Sequence, residues 1–117
     1  MSNPREVALD TLLAVTEEGA YNSISLRQAL RKNGAMSRAD RAFVTQVVNG
    51  CLRNLLYLDF CLNAYSKTPV SKMKPLIRGA LRTGAYQILF MERVPNSAAC
   101  NETVALVKRR GLGALSG

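Results

Sequence analysis

RTGAYQILFMERVPNSAACNETVALVKR, residues 82–109, is the stretch whose reading decides the fold. It divides into the end of one helix, a tight joint at Val94, Pro95, Asn96 and Ser97, and a second helix whose first turns carry Asn101 and Glu102. At about 100° per residue, Glu102 falls between Ala98, Ala105 and Leu106, which sets a carboxylate on an apolar stripe. A buried carboxylate needs a cationic partner. Arg78 or Arg82, on the preceding helix, is the expected donor.

Two further segments have the same character: SRADRAFVTQVVNGCLRN from Ser37 to Asn54 and NPREVALDTLLAV from Asn3 to Val15. Together the three resemble a NusB-like all-helical domain, in the form found at the N-terminus of RsmB-type (Sun/Fmu) 16S rRNA cytosine-5 methyltransferases. The resemblance spans nearly the whole chain. It rests on Arg5 to Ala8, Asp40 with Arg41, Gly50 to Arg53, Gly84 to Gln87, Val94 with Pro95, and Asn101 with Glu102. One departure is Asn49, where the family often has an aromatic residue.

A chain of 117 residues, 48% hydrophobic, suits one domain over residues 1–117, burying roughly 65% of its unfolded surface. No apolar run approaches the ~20 residues of a bilayer span, and no basic leader precedes an apolar core, so a cytoplasmic protein without a membrane partner is expected. Cys51, Cys61 and Cys100 are widely spaced in apolar helical sequence, and the chain has no histidine. Reduced thiols are expected, with no disulfide and no metal.

The net charge of +8 is uneven. Residues 1–24 carry Arg5 against Glu6, Asp10, Glu17 and Glu18, a net −3, so the remainder carries +11. Between Asp59 and Glu92 there is no acid, while Lys67, Lys72, Lys74, Arg78 and Arg82 are basic. This segment is the candidate polyanion footprint.

Along the chain, Asn3 as cap, Pro4 at the first helical position and Glu6 at the third open a helix that ends near Gly19. A weaker helical pattern from Ser23 to Lys32 closes at Asn33 and Gly34. Ser37 with Asp40 is a capping-box-like start for the strongest helix, followed by Phe43, Val44, Val47, Val48, Cys51, Leu52 and Leu55. Asn49 with Gly50, or Arg53 with Asn54, is a break point in the long run that continues to Tyr65. Pro69 and Pro75 bracket a polar connector. Ile77, Leu81, Gly84, Ala85 and Ile88 then define the stripe of the next helix, where Gly84 implies close helix contact. Every strong period is helical, so an all-α bundle is expected, and the resemblance makes it a NusB-like antiparallel one.

Methyl transfer to cytosine C5 needs a nucleophilic cysteine, and the usual S-adenosylmethionine pocket needs a glycine-bearing strand-to-helix turn. Neither is visible, and the chain alone is not expected to be an enzyme. The resemblance implies a longer parent, whose C-terminal domain would bind S-adenosylmethionine and carry the catalytic residues, with this chain as an excised piece. The partners it implies are ribosomal RNA and that catalytic domain. Lys74, Arg78 and Arg82 step by four residues up one helical flank, a ladder able to track phosphates. For the arginines, internal pairing weighs equally. Lys72 and Lys74 suit phosphate better. Lys108 and Arg109 are further RNA candidates, although a helix C-terminus alone would favour them. Arg5 lies on the face of Ala8, Leu9 and Leu12, so a buried ion pair with Asp40 or Glu102 is expected. Arg38, Arg41 and Arg53 are expected to cap or to pair with Asp40 and Asp59, with RNA contact still open to them. For Tyr86 and Phe90, core packing is expected ahead of base stacking.

The function read from the resemblance is an RNA-binding domain that positions 16S rRNA for a separate catalytic domain. Its rivals are a free-standing antitermination factor of the NusB type, acting in transcription, and a scaffold that only packs on the catalytic domain. The last predicts an exposed apolar patch.

Overall fold

A computed structural model describes residues 3–92 and 94–107, and within these it holds six α-helices and no strand. They are α1 (Pro4–Thr16), α2 (Asn22–Lys32), α3 (Arg38–Arg53), α4 (Leu55–Tyr65), α5 (Pro75–Phe90) and α6 (Asn96–Val107), with a 3-10 turn at Val70–Lys72 before α5.

The helix ends follow local chemistry. The Asn3 side-chain oxygen accepts from the N–H groups of Arg5 and Glu6 at 2.8 and 3.3 Å, and Pro4 takes the position where a missing N–H costs nothing. Gly19, at φ 75°, turns the chain out of α1 while the Ala20 N–H returns to the Ala14 carbonyl. Ser37 Oγ accepts from the Asp40 N–H at 3.1 Å, which starts α3 and leaves the Asp40 carboxylate in its first turn. The long apolar run breaks at Asn54, whose side-chain amide donates to the Gly50 carbonyl at 2.8 Å, and α4 begins one residue later.

The core forms where α1, α3 and α5 meet. Ala8, Leu12, Val44, Val47, Val48 and Cys51 are buried there with Leu58 of α4 and Tyr86 of α5. A second cluster, Leu9 with Ala80, joins α1 to α5 with Leu13 and Leu76 around it. Leu26, Ala29 and Leu30 of α2 cover one flank of the core, and α6 packs on α5.

Two expectations change. The connector is not wholly polar, because Val70 is 2% exposed and anchors it. The stripe of α5 is displaced. Its buried face is Gly79, Ala80, Arg82, Thr83, Gly84, Tyr86 and Gln87, whereas Ile77, Leu81 and Ala85 are half-buried and Ile88 is exposed. Leu81, Ala85 and Ile88 instead line an apolar groove of about 240 Å³ with Leu62 of α4 and Ala99 of α6. The cause is that α5 meets four neighbouring elements, including α1 and α3, and its small residues lie where backbones approach most closely. An added Cβ at Gly84 would lie 2.7 Å from Thr103 Oγ1 of α6, so the expected close contact is there.

Candidate nucleic-acid interface

The expected footprint centres on the connector. Val70 points inward, its N–H held by Asn63 Oδ1 at 2.8 Å, while the Lys72 and Met73 N–H groups close the 3-10 turn on the Pro69 and Val70 carbonyls. With Val70 as the anchor, Lys67, Lys72 and Lys74 are left exposed. These three lysines are free to meet an anion.

The ladder above Lys74 does not continue as a phosphate track. Arg78 turns inward: one terminal nitrogen donates to the Val70 and Met73 carbonyls at 3.2 and 3.0 Å, and the other meets Glu17 at 2.8 Å. It clamps the connector to the end of α1. Arg82 is 8% exposed and engages Asp59 of α4 through two parallel bonds, Nε to Oδ1 at 2.8 Å and NH2 to Oδ2 at 2.7 Å. This fork-to-fork geometry is the strong form of the arginine–carboxylate pair. The acid-free stretch of sequence misleads because Glu17 and Asp59 reach these arginines from neighbouring helices. Both arginines are therefore structural.

The ion pair expected between Arg5 and Asp40 or Glu102 is also corrected. Arg5 Nε donates to Gln87 Oε1 at 2.9 Å, and its guanidinium lies 5.1 Å from the centre of the Phe43 ring. A neutral amide and an aromatic face satisfy it without a second buried charge. Asp40 belongs to the start of α3, and Glu102 is half-buried. Neither ion pair among the described residues, Arg78–Glu17 or Arg82–Asp59, involves Asp40 or Glu102. Lys108 and Arg109 lie outside the described residues.

On α3, Arg41 donates to the Leu30 carbonyl at 2.9 Å and so closes the C-terminus of α2. Arg38 and Arg53 pair with neither Asp40 nor Asp59; both are exposed. With Ala42, Gln46 and Asn49 they line a shallow groove of about 460 Å³ on the outer side of α3. The spacing 38, 42, 46, 49, 53, with no acid at any of these positions, is a sequence signal that would have found this face, which the expected pairing with Asp40 and Asp59 passed over.

Cys51 is fully buried, its Sγ 3.7 Å from the Arg82 carbonyl. Burial pushes its thiol up to about 12, against the opposing pull of the Arg82 charge. Such a thiol is a poor nucleophile. With no strand among the described residues, the strand-to-helix turn that cradles S-adenosylmethionine is not among them either.

The sequence matches the NusB family over residues 2–117. The chain belongs to that family. It is 33% identical over 107 residues to the probable ribosomal RNA small subunit methyltransferase B of Bacillus subtilis, covering 92% of this chain and 24% of that protein. The protein of the same name from Synechocystis is 33% identical over 116 residues, covering 99% and 26%. The transcription antitermination protein NusB of Xanthomonas axonopodis pv. citri is 30% identical over 110 residues, covering 94% and 69%. The chain thus spans about a quarter of the length of the methyltransferase relatives.

In this NusB-family domain the Gly-Ala-Tyr-Gln segment is a packing device. Gly84 admits α6, Tyr86 lies against Gly50 of α3, and Gln87 receives Arg5 while its own amide donates to the Thr83 carbonyl.

Proposed function

We propose that this NusB-family chain holds ribosomal RNA for an S-adenosylmethionine-dependent cytosine-5 methyltransferase domain of a longer polypeptide. The observation that carries the proposal is similarity over more than nine-tenths of the chain to about one quarter of two small-subunit rRNA methyltransferases. A net charge of +8 supports it, since phosphate contacts supply most of the affinity of such domains. On this reading Lys67, Lys72 and Lys74 contribute phosphate contacts, and the domain raises the local concentration of RNA near a catalytic centre elsewhere.

The test is fluorescence anisotropy of the chain with a 16S rRNA hairpin and a matched DNA duplex across a salt series. Preference for the RNA, affinity that falls steeply with salt, and a loss of about threefold to tenfold in Lys72→Ala/Lys74→Ala are expected. No binding at low salt would overturn the reading.

A second reading is favoured by one feature. Leu56, Tyr57 and Phe60 of α4 are 86%, 52% and 71% exposed, an apolar face of the kind that packs on another domain. If packing were its whole role, the lysine variant would bind RNA as well as the parent chain does.

A further inference from the structure

The outer side of the α2–α3 pair carries charge that no internal contact uses. Two hydrogen bonds fix the pair as antiparallel: Asn22 Nδ2 donates to Asn49 Oδ1 at 3.0 Å, and Arg41 reaches the Leu30 carbonyl at 2.9 Å. The start of α2 therefore lies beside the second half of α3. In this register Tyr21, just before α2, lies towards the same end of the helix pair as Arg53, one turn beyond Asn49 on α3.

Residues 19–58 contain six bases, Arg27, Arg31, Lys32, Arg38, Arg41 and Arg53, against one acid, Asp40. Helical projection gathers Arg38, Ala42, Gln46, Asn49 and Arg53 into an arc of about 80° opposite Val44, Val47 and Cys51, and sends Asp40 about 160° away from the centre of that arc. The face is consequently free of acid. Arg38 and Arg53 are separated by ~22 Å along the helix axis, at ~1.5 Å per residue. That span exceeds a single phosphate and suits a strand. Arg27 is exposed on the flank of α2 turned away from Ser25, Gln28 and Lys32, which line the α1 side.

Between the terminal arginines lie Gln46, whose exposed amide offers a donor and an acceptor to a base edge, and Asn49, whose Oδ1 already accepts from Asn22, and the small Ala42 leaves the surface open. Tyr21 is 77% exposed, so its ring is available for stacking. Cations at both ends, amides between them and one exposed ring match unpaired nucleotides; a duplex hides its base faces.

We propose that this face, from Tyr21 and Arg53 at one end to Arg38 at the other, seats an unpaired RNA strand. Phosphates lie on Arg27, Arg38 and Arg53, and one base stacks on Tyr21. The proposal rests on the RNA-holding reading and adds a location and a strand preference to it.

The experiment is anisotropy of the 117-residue chain with a short unstructured RNA, the same RNA in a duplex and the matching single-stranded DNA, at several salt concentrations. The variants are Arg38→Gln/Arg53→Gln, Tyr21→Ala and, as a comparison, Lys72→Ala/Lys74→Ala. None of the substituted α2–α3 residues supports the core, and unchanged thermal melts would verify this. The double arginine variant is expected to lose about tenfold or more in affinity for the unpaired RNA. Its log–log salt slope should be shallower by about 1.4, the equivalent of two phosphate contacts on a single strand. Tyr21→Ala should lose about fivefold or more with the slope unchanged. Wild-type binding that the α2–α3 variants leave intact would overturn this location while sparing the RNA-holding reading. Equal affinity for strand and duplex would overturn the strand preference, and no RNA binding by the wild-type chain would overturn both.

Discussion

Arg82 and Asp59 are 23 residues apart in sequence and 2.7 Å apart at their closest bond. Removing the arginine leaves a carboxylate at the edge of the core without its partner. Arg82→Ala is expected to cost about 3 kcal/mol, the lower end for a broken buried pair because Asp59 keeps some solvent access. Replacing both, as Arg82→Met/Asp59→Leu, should restore about half of that loss or more, because two apolar side chains need no partner. Urea denaturation of the two single variants and the double one checks this. A double variant no better than the worse single one would contradict it. This pair was not legible in the sequence, which located the arginine but offered Glu102 as its carboxylate. Helical periodicity ranks residues around one axis and carries no information about which neighbouring helix faces them. Arg5 was misread for the same reason: its burial was legible, while its partners, an amide on α5 and a ring on α3, depend on how three helices meet.

Whole elements were far more legible, because caps and breaks are local. Asn3, Ser37 and Gly19 mark helix ends through hydrogen bonds and a backbone conformation within a few residues of themselves. The long apolar run offered two break points, and Asn54 prevails because its amide caps α3 from within. Where α3 crosses α5, Gly50 leaves room for the Tyr86 ring, and a Cβ there would overlap it. Gly50→Ala is therefore expected to cost about 2 kcal/mol in spite of the better helix propensity of alanine. A companion Tyr86→Leu should recover part of that loss. Thermal melts of the single and double variants would reveal the coupling; independent effects would mean that the crossing is looser than described. The stripe of α5 was read one flank away from its true burial. Bulky residues mark an apolar face, but small residues mark the closest approach of backbones, and here the two differ.

At the scale of the molecule, the helical class followed from uniform periodicity, whereas the basic surface did not follow from charge counts along the chain. Folding divided the cations into an internal set, with Arg5, Arg41, Arg78 and Arg82, and an outward set that includes Lys67, Lys72, Lys74, Arg38 and Arg53. The cations that stabilise the fold are thus separable from those left at the surface. Arg78→Ala should lower the melting temperature, because two bonds to the connector and one to Glu17 are lost, and Lys72→Ala should leave the stability within about 0.5 kcal/mol of the parent. Calorimetry beside the anisotropy series would distinguish them. The alkaline limb of stability has an identifiable contributor. The Cys51 thiol stays protonated in the fold up to about 12, while in the unfolded chain it ionises near 9.0. Its contribution is present below pH 9 and declines above it, since the unfolded state then releases the proton first. Cys51→Ala should flatten stability against pH between 9 and 10.5, as equilibrium unfolding would measure.

The same buried sulfur can serve as a clock. An alkylating reagent reaches Cys51 only during excursions that part α3 from α5, so at moderate reagent concentration its labelling rate reports how often that seam opens. Cys100, exposed on α6, reacts without any opening and sets the intrinsic chemical rate in the same tube. The ratio of the two rates converts a static feature of the core into the opening equilibrium of its central helix pair, with and without RNA bound.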